Sequence, residues 1–101
     1  MKVVVKKVGQ IGEVVEVENT LKTWQDIVGG YITTYPLGKN MLIICNEEGL
    51  LMNLEPNIEV VKGQHTELIV GDIAIVKQGY EDFEGLDDEQ IERLRKSGMI
   101  R

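Results

Sequence analysis

The residue types that could carry out chemistry are scarce in this chain of 101 residues. It contains one histidine, His65, one cysteine, Cys45, and one serine, Ser97. A zinc site needs several His or Cys ligands, and a serine triad needs a histidine beside the serine. We therefore expect no catalytic activity, no metal and no other cofactor. The 17 acidic residues leave a two-carboxylate hydrolase open, but no pair stands out.

The thiol of Cys45 follows the apolar run Leu42-Ile43-Ile44. A small apolar residue suits a strand in the core, and free cysteine is among the residue types most often buried. A buried structural thiol is the favoured interpretation. The alternative is a reactive nucleophile, which needs a nearby base, and no motif ties His65 to Cys45.

Composition and charge exclude several classes of protein. The formal net charge is −6, and the 11 basic residues are scattered, whereas binding to a nucleic acid needs a basic stripe. The start of the sequence does not resemble a secretory signal, and no apolar run is long enough to span a bilayer. We expect one domain over residues 1–101, in the cytoplasm of the cell, with no membrane and no general nucleic-acid partner.

The hydrophobic patterning predicts an α+β fold, a small mixed and mainly antiparallel sheet with two helices. Apolar residues at three- and four-residue spacing predict the first helix, and a capping box begins the second. The predicted strands are short and rich in β-branched residues, and the segments 31–36 and 41–45 should form a hairpin. The predicted strands are 2–8, 13–18, 31–36, 41–45, 50–54, 58–61 and 73–77, and the predicted helices are 20–28 and 87–97.

Two short motifs have structural interpretations. Gly29-Gly30 follows the first helix, where one glycine should take the left-handed conformation of a C-cap. Asn46-Glu47-Glu48-Gly49 has the composition of a tight turn. The acidic stretch 81–92 could imitate a phosphate ladder, but four basic residues follow it, which favours a solvated and well-capped helix.

The same motifs carry a resemblance to a known family. Val28-Gly29-Gly30-Tyr31-Ile32, then Asn46–Gly49, then Asn57 and Gly71-Asp72-Ile73 occur in this order. The chain resembles, over roughly residues 2–94, an uncharacterised family of small proteins from phages, plasmids and other mobile elements, a domain of unknown function. Members of that family often carry Glu where this chain has Thr33, and Lys where it has Leu50.

The resemblance to proteins of mobile elements implies a counter-defence role. We expect a protein that binds and sequesters a nucleotide-derived immune signal without chemistry, in pockets between the subunits of a homo-oligomer. One alternative is an inhibitor that binds a host defence or restriction enzyme, and another is an enzyme that degrades the signal. Trp24 has a competing interpretation as a core residue. The candidate ligand-binding residues are Trp24 and Tyr31 for stacking, Lys22 and Lys39 for charge, and Asn46 and Glu47 in the turn.

The sequence predicts that the protein self-associates. A short chain that is 43% hydrophobic and rich in strands leaves sheet edges to cover. Light scattering coupled to size exclusion should give a mass that is a multiple of 11.4 kDa at micromolar concentration. A clean monomer would remove the pocket between subunits and would argue against the sequestration hypothesis.

Overall fold

The fold is a six-stranded antiparallel sheet with a helix on one face and a β-hairpin and a second helix on the other. A computed structural model describes residues 1–101, and the predicted α+β class is confirmed. The elements in chain order are β1 (Lys2–Lys6), β2 (Glu13–Glu16), α1 (Leu21–Val28), β3 (Ile32–Gly38), β4 (Met41–Asn46), β5 (Pro56–Lys62), β6 (His65–Val70), β7 (Ile73–Gln78), β8 (Phe83–Glu84) and α2 (Asp88–Lys96).

The sheet has the strand order β2-β1-β7-β4-β3, and β8 pairs with β7. Every pairing between these strands is antiparallel. The predicted hairpin of 31–36 with 41–45 is confirmed as β3–β4, with Thr34 opposite Ile44. The strands β5 and β6 form a separate two-stranded sheet. The main sheet therefore ends in two edge strands, β2 and β3.

The core lies on both faces of the main sheet, because β1, β4 and β7 have continuous apolar runs and successive side chains of a strand point to opposite faces. The cluster under α1 contains Val3, Trp24, Val28, Ile44, Ala74 and Val76. The cluster on the opposite face joins the sheet to the β5–β6 hairpin and α2, and it contains Val4, Met41, Ile43, Cys45, Val60, Ile69, Ile73, Ile75, Leu86, Ile91, Leu94 and Ile100.

Both helices begin and end within one residue of the predicted positions 20–28 and 87–97. The Thr20 hydroxyl accepts a hydrogen bond from the N–H of Thr23 at 3.1 Å, and Gly29 ends α1 with a φ of 79°. A residue with a Cβ is strained at that angle, so the left-handed C-cap favours glycine there. Helix α2 begins with a complete capping box between Asp87 and Gln90.

The predicted strand over residues 50–54 is wrong. The N–H of Met52 donates to the carbonyl of Glu48 at 2.8 Å, and the N–H of Leu54 donates to Gly49 at 3.0 Å. These local bonds turn the chain, and Asn53 takes a left-handed φ of 57°. Because the backbone is satisfied locally, the apolar run needs no sheet, and Leu50 and Leu51 remain exposed.

Three other differences concern the later strands β5, β6 and β8. The strand β6 was not predicted, and the predicted strand 58–61 is longer, since Pro56 begins β5 instead of breaking it. Gly63, with a φ of 59°, allows the tight turn between β5 and β6. The strand β8 is only two residues long, which is too short to show a period.

Asn57 fastens the base of the β5–β6 hairpin to the main sheet. Its Nδ2 donates to the carbonyls of Lys6 at 2.9 Å and Gly71 at 2.8 Å, and its Oδ1 accepts from Lys6 Nζ at 2.7 Å.

We expect Asn57→Ala to lower the free energy of unfolding by roughly 1–3 kcal/mol, because two partly buried carbonyls lose their donor. Urea denaturation measures this effect. Gln64→Ala, which also truncates an amide but in the exposed hairpin turn, should leave the midpoint unchanged.

Candidate functional site

The side chain of Asn46 joins the two motifs of the sequence. Its Nδ2 donates to the carbonyl of Val28 at 3.2 Å, at the end of α1, and its Oδ1 accepts from the N–H of Glu48 at 2.8 Å. A Cβ on Gly30 would lie 3.0 Å from Asn46 Nδ2. The absence of a side chain at Gly30 thus gives the amide its place, and the C-cap and turn interpretations of the motifs are confirmed.

The late Gly71 has a related packing role. It takes a φ of 78°, and a Cβ there would lie 2.8 Å from Leu54 Cδ1. A Cβ on Gly49 would lie 2.7 Å from a methyl group of Val70. These glycines let the 47–54 segment pack closely against the strand β6 and the turn after it. The motif residues therefore build the fold around a surface.

Trp24 lies in the core. It is only 1% exposed, its Nε1 donates to Asn19 Oδ1 at 3.1 Å, and its ring meets Phe83 edge to face with centroids 5.8 Å apart. No face of the indole is free for a ligand to stack on. The core interpretation of Trp24 accounts for its position, and the hypothesis of a stacking platform has no exposed ring to use.

The two candidate lysines lie apart from each other. Lys22 Nζ pairs with Asp26 at 2.7 Å on the exposed face of α1. Lys39 lies in the β3–β4 turn, with its carbonyl accepting from Gln90 Nε2 at 3.0 Å. Tyr31 is exposed just before β3, at the strand's other end. The structure does not bring Lys22, Lys39 and Tyr31 together into one site.

Asn46 and Glu47 do line a common surface. It is a groove of about 460 Å³ bounded by β3, β6 and the turn segment between β4 and β5. Its volume lies within the range of ligand-binding clefts. The residues that line the groove are Thr33, Thr34, Tyr35, Cys45, Asn46, Glu47, Gly49, Leu50, Leu51, Glu67, Leu68, Ile69 and Val70.

The groove is apolar with acidic charge. Leu50 and Leu51 are 78% and 87% exposed, and Leu68 is 45% exposed. The charged residues of the lining are Glu47 and Glu67, both acidic. Lys62 Nζ lies over the ring of Tyr35, 5.0 Å from the ring centroid, but Lys62 is not among the residues that line the groove. An apolar groove with carboxylates suits a partner with apolar and basic groups.

The residues that directly follow the two motifs meet in this groove. Thr33 follows Val28–Ile32 and lies on β3, and Leu50 follows Asn46–Gly49 in the turn segment. Both residues line the groove, although they are 17 residues apart in sequence. The motif glycines and Asn46 therefore build the frame, and the residues beside them line its surface.

Sequence reasoning missed the part of the site that β6 provides. Glu67 and Leu68 lie in a segment to which no element was assigned, and Leu50 and Leu51 were placed in a strand. The signal for β6 was present in Lys62-Gly63-Gln64-His65, a turn between two β-branched runs. No local signal shows that Leu50 and Leu51 are exposed, because their contacts depend on tertiary structure.

Cys45 is a buried thiol at the floor of the groove, as the sequence predicts. It is 8% exposed, and desolvation by burial raises the pKa of its thiol. A raised pKa leaves less thiolate at neutral pH, and the thiolate is the nucleophile. The geometry therefore favours the structural interpretation of Cys45.

Comparison with known proteins gives the family. A family model described as domain of unknown function DUF3846 matches residues 1–98. The chain belongs to this family. No curated protein and no solved structure matches it. The predicted membership of a domain of unknown function is confirmed, and membership of DUF3846 brings no activity with it. None of the chain's helices has the length and apolarity to cross a membrane.

The position of Cys45 predicts slow thiol chemistry. We expect Ellman's reagent to react with Cys45 at least about tenfold more slowly in the folded protein than in urea, because burial blocks access and raises the pKa. In the folded protein the rate should continue to rise to a higher pH than in the unfolded chain, because the thiol with the raised pKa is deprotonated at a higher pH. Equal rates in both states at neutral pH would show an accessible thiolate and would revive the nucleophile hypothesis.

Proposed function

We propose that this protein acts by binding another protein through the groove between β3 and β6. The observation that carries the proposal is the pair Leu50 and Leu51, two neighbouring leucines that are almost fully exposed beside the groove. Large apolar side chains that gather on a surface mark binding sites in folded proteins. Leu68, on β6, is also exposed and lines the groove, and Met52, which follows Leu51 in the turn segment, is exposed as well.

The rest of the groove supports a protein partner over a phosphate-bearing one. Its charged residues are two carboxylates, and a phosphate needs cations or clustered N–H donors. Large apolar side chains accompanied by a few polar and charged groups are the usual composition of a protein interface. Within the counter-defence role implied by the resemblance, the partner is a host defence or restriction enzyme, and the protein inhibits it without chemistry.

Sequestration of a nucleotide-derived signal is the second candidate. The volume of about 460 Å³ and the ring of Tyr35 in the lining support it, since a base can stack on a tyrosine. Stacking by Tyr31 and a pocket completed by a second subunit belong to this candidate. Degradation of the signal ranks third, because no base stands beside the Cys45 thiol to activate it.

A pair of leucine variants tests the proposal. We expect Leu51→Glu to lose the partner that wild type retains from host lysate, with affinity reduced by about tenfold or more, since removing an interface anchor costs roughly 2 kcal/mol. Leu21→Glu is the matched control, because Leu21 is 58% exposed on α1 and does not line the groove. Equal retention by both variants would contradict the proposal.

The nucleotide candidate needs a separate measurement on the same preparation. The protein is incubated with a panel of cyclic and linear nucleotide signals and heated, and the released material is analysed by mass spectrometry. An unchanged nucleotide would favour sequestration, an altered one would favour an enzyme, and no retained nucleotide would leave protein binding as the function.

A further inference from the structure

We propose that the partner enters the groove as an added strand, an extended peptide segment with basic side chains that pairs with the free edge of β3. This inference rests on the proposed function and names the way in which the partner is bound. Strand addition takes its affinity from main-chain hydrogen bonds and its specificity from side-chain pockets. The free edge of β3 offers the main-chain groups, and the adjoining groove offers the side-chain pockets, since Thr33, Thr34 and Tyr35 of β3 line it.

The register of the sheet shows which backbone groups of β3 are free. The N–H of Glu47 donates to the carbonyl of Tyr31 at 2.8 Å, which makes these two residues a hydrogen-bonded pair. Hydrogen-bonded and non-hydrogen-bonded pairs alternate in an antiparallel ladder. Ile32 and Thr34, opposite Asn46 and Ile44, are therefore in the other class. Their N–H and C=O groups point away from β4, toward an added strand.

Pro36 has the same outward phase as Ile32 and Thr34, two residues further along β3. Proline lacks an N–H, and at this position the N–H would point away from β4, so no hydrogen bond to β4 is lost. Proline is tolerated at such positions of an edge strand. Its carbonyl can still accept. The free edge thus offers two donors and three acceptors, enough to pair a short extended segment at three successive outward positions.

The two edges of the sheet differ in protection. The other edge strand, β2, begins and ends with the exposed acids Glu13 and Glu16, and charge on an edge discourages pairing. Thr33 and Thr34 are exposed on β3 and carry no charge. An edge of β-branched, uncharged residues beside exposed leucines is a template for another strand.

The negative charge of the groove favours a basic peptide segment over a second copy of the chain. Glu47 and Glu67 are the charged residues of the groove, and the chain carries a net charge of −6. A second copy of the chain, paired around a two-fold axis at Thr34, would set Pro36 opposite Ile32, where one hydrogen bond lacks its donor, and the net charges of −6 on the two copies repel each other. A basic segment instead complements both carboxylates. Its apolar side chains meet Leu50 and Leu68.

A display library of random linear dodecapeptides, selected on the full-length protein, tests this proposal. Thr34→Pro removes one of the two outward N–H groups of β3, and Val14→Pro is the matched control on β2. The pair of Met1 and Val17, which donate to each other's carbonyls, gives Val14 the same outward phase on its edge. Thermal melts check that both variants fold.

We expect the selected peptides to be enriched in Lys and Arg and to alternate apolar residues. They should bind wild type and Val14→Pro alike and Thr34→Pro at least about tenfold more weakly. N-methylation of the peptide at every second residue should abolish binding to wild type in one phase and spare it in the other, which does not depend on the folding of a variant. Glu47→Gln with Glu67→Gln should weaken the binding of these peptides.

Several results would overturn the inference. These are an unenriched pool, acidic or patternless peptides, equal binding to both proline variants, and insensitivity to N-methylation in both phases. A wild-type dimer that becomes a monomer in Thr34→Pro would assign the edge to a second copy and would also overturn it. Peptides or a partner that Leu51→Glu loses and Thr34→Pro retains would leave the protein-binding function standing while strand addition fails.

Discussion

The amide of Asn46 is the contact on which the surface of this protein depends. At the end of β4 its Oδ1 accepts from the N–H of Glu48, and its Nδ2 donates to the carbonyl of Val28, the last residue of α1. Asn46 is 6% exposed, so its bonds form away from water, where an unpaired amide would cost most. One side chain thereby sets the direction of the chain after β4 and the distance from α1 to the sheet.

The consequences of this contact extend in both directions along the chain. Toward the helix, the bare backbone of Gly30 approaches the amide, and the chain then enters β3 in the register that frees the edge of Ile32 and Thr34. Toward β5, the turn of Glu48 to Leu54 folds on itself and holds two leucines out of the core. The groove of the proposed binding surface lies where these two paths run side by side.

The sequence predicted the frame much better than the site. Periodicity and caps located both helices and the β3–β4 hairpin, because those signals are local: Thr20, Gly29 and Asp87 act within a turn of their own residue. The leucines at 50 and 51 have no local signal, since the same apolar run suits a buried strand and an exposed turn. Trp24 was placed both in the core and at a ligand, and only tertiary contacts decide between them.

The hairpin of β5 and β6 forms one wall of the groove, and it is attached in an unequal way. Its base is fastened by Asn57, and Val60 and Ile69 pack into the core, while the tip from Val61 to Thr66 is exposed. No strand of the main sheet shares a ladder with it. The opposite wall, β3, is held by β4 along its length. The hairpin is therefore attached to the rest of the protein at its base only, and it can open locally at a smaller free-energy cost than the sheet. Motion of the hairpin alone would widen the groove. The groove would then fit peptide segments of different thickness.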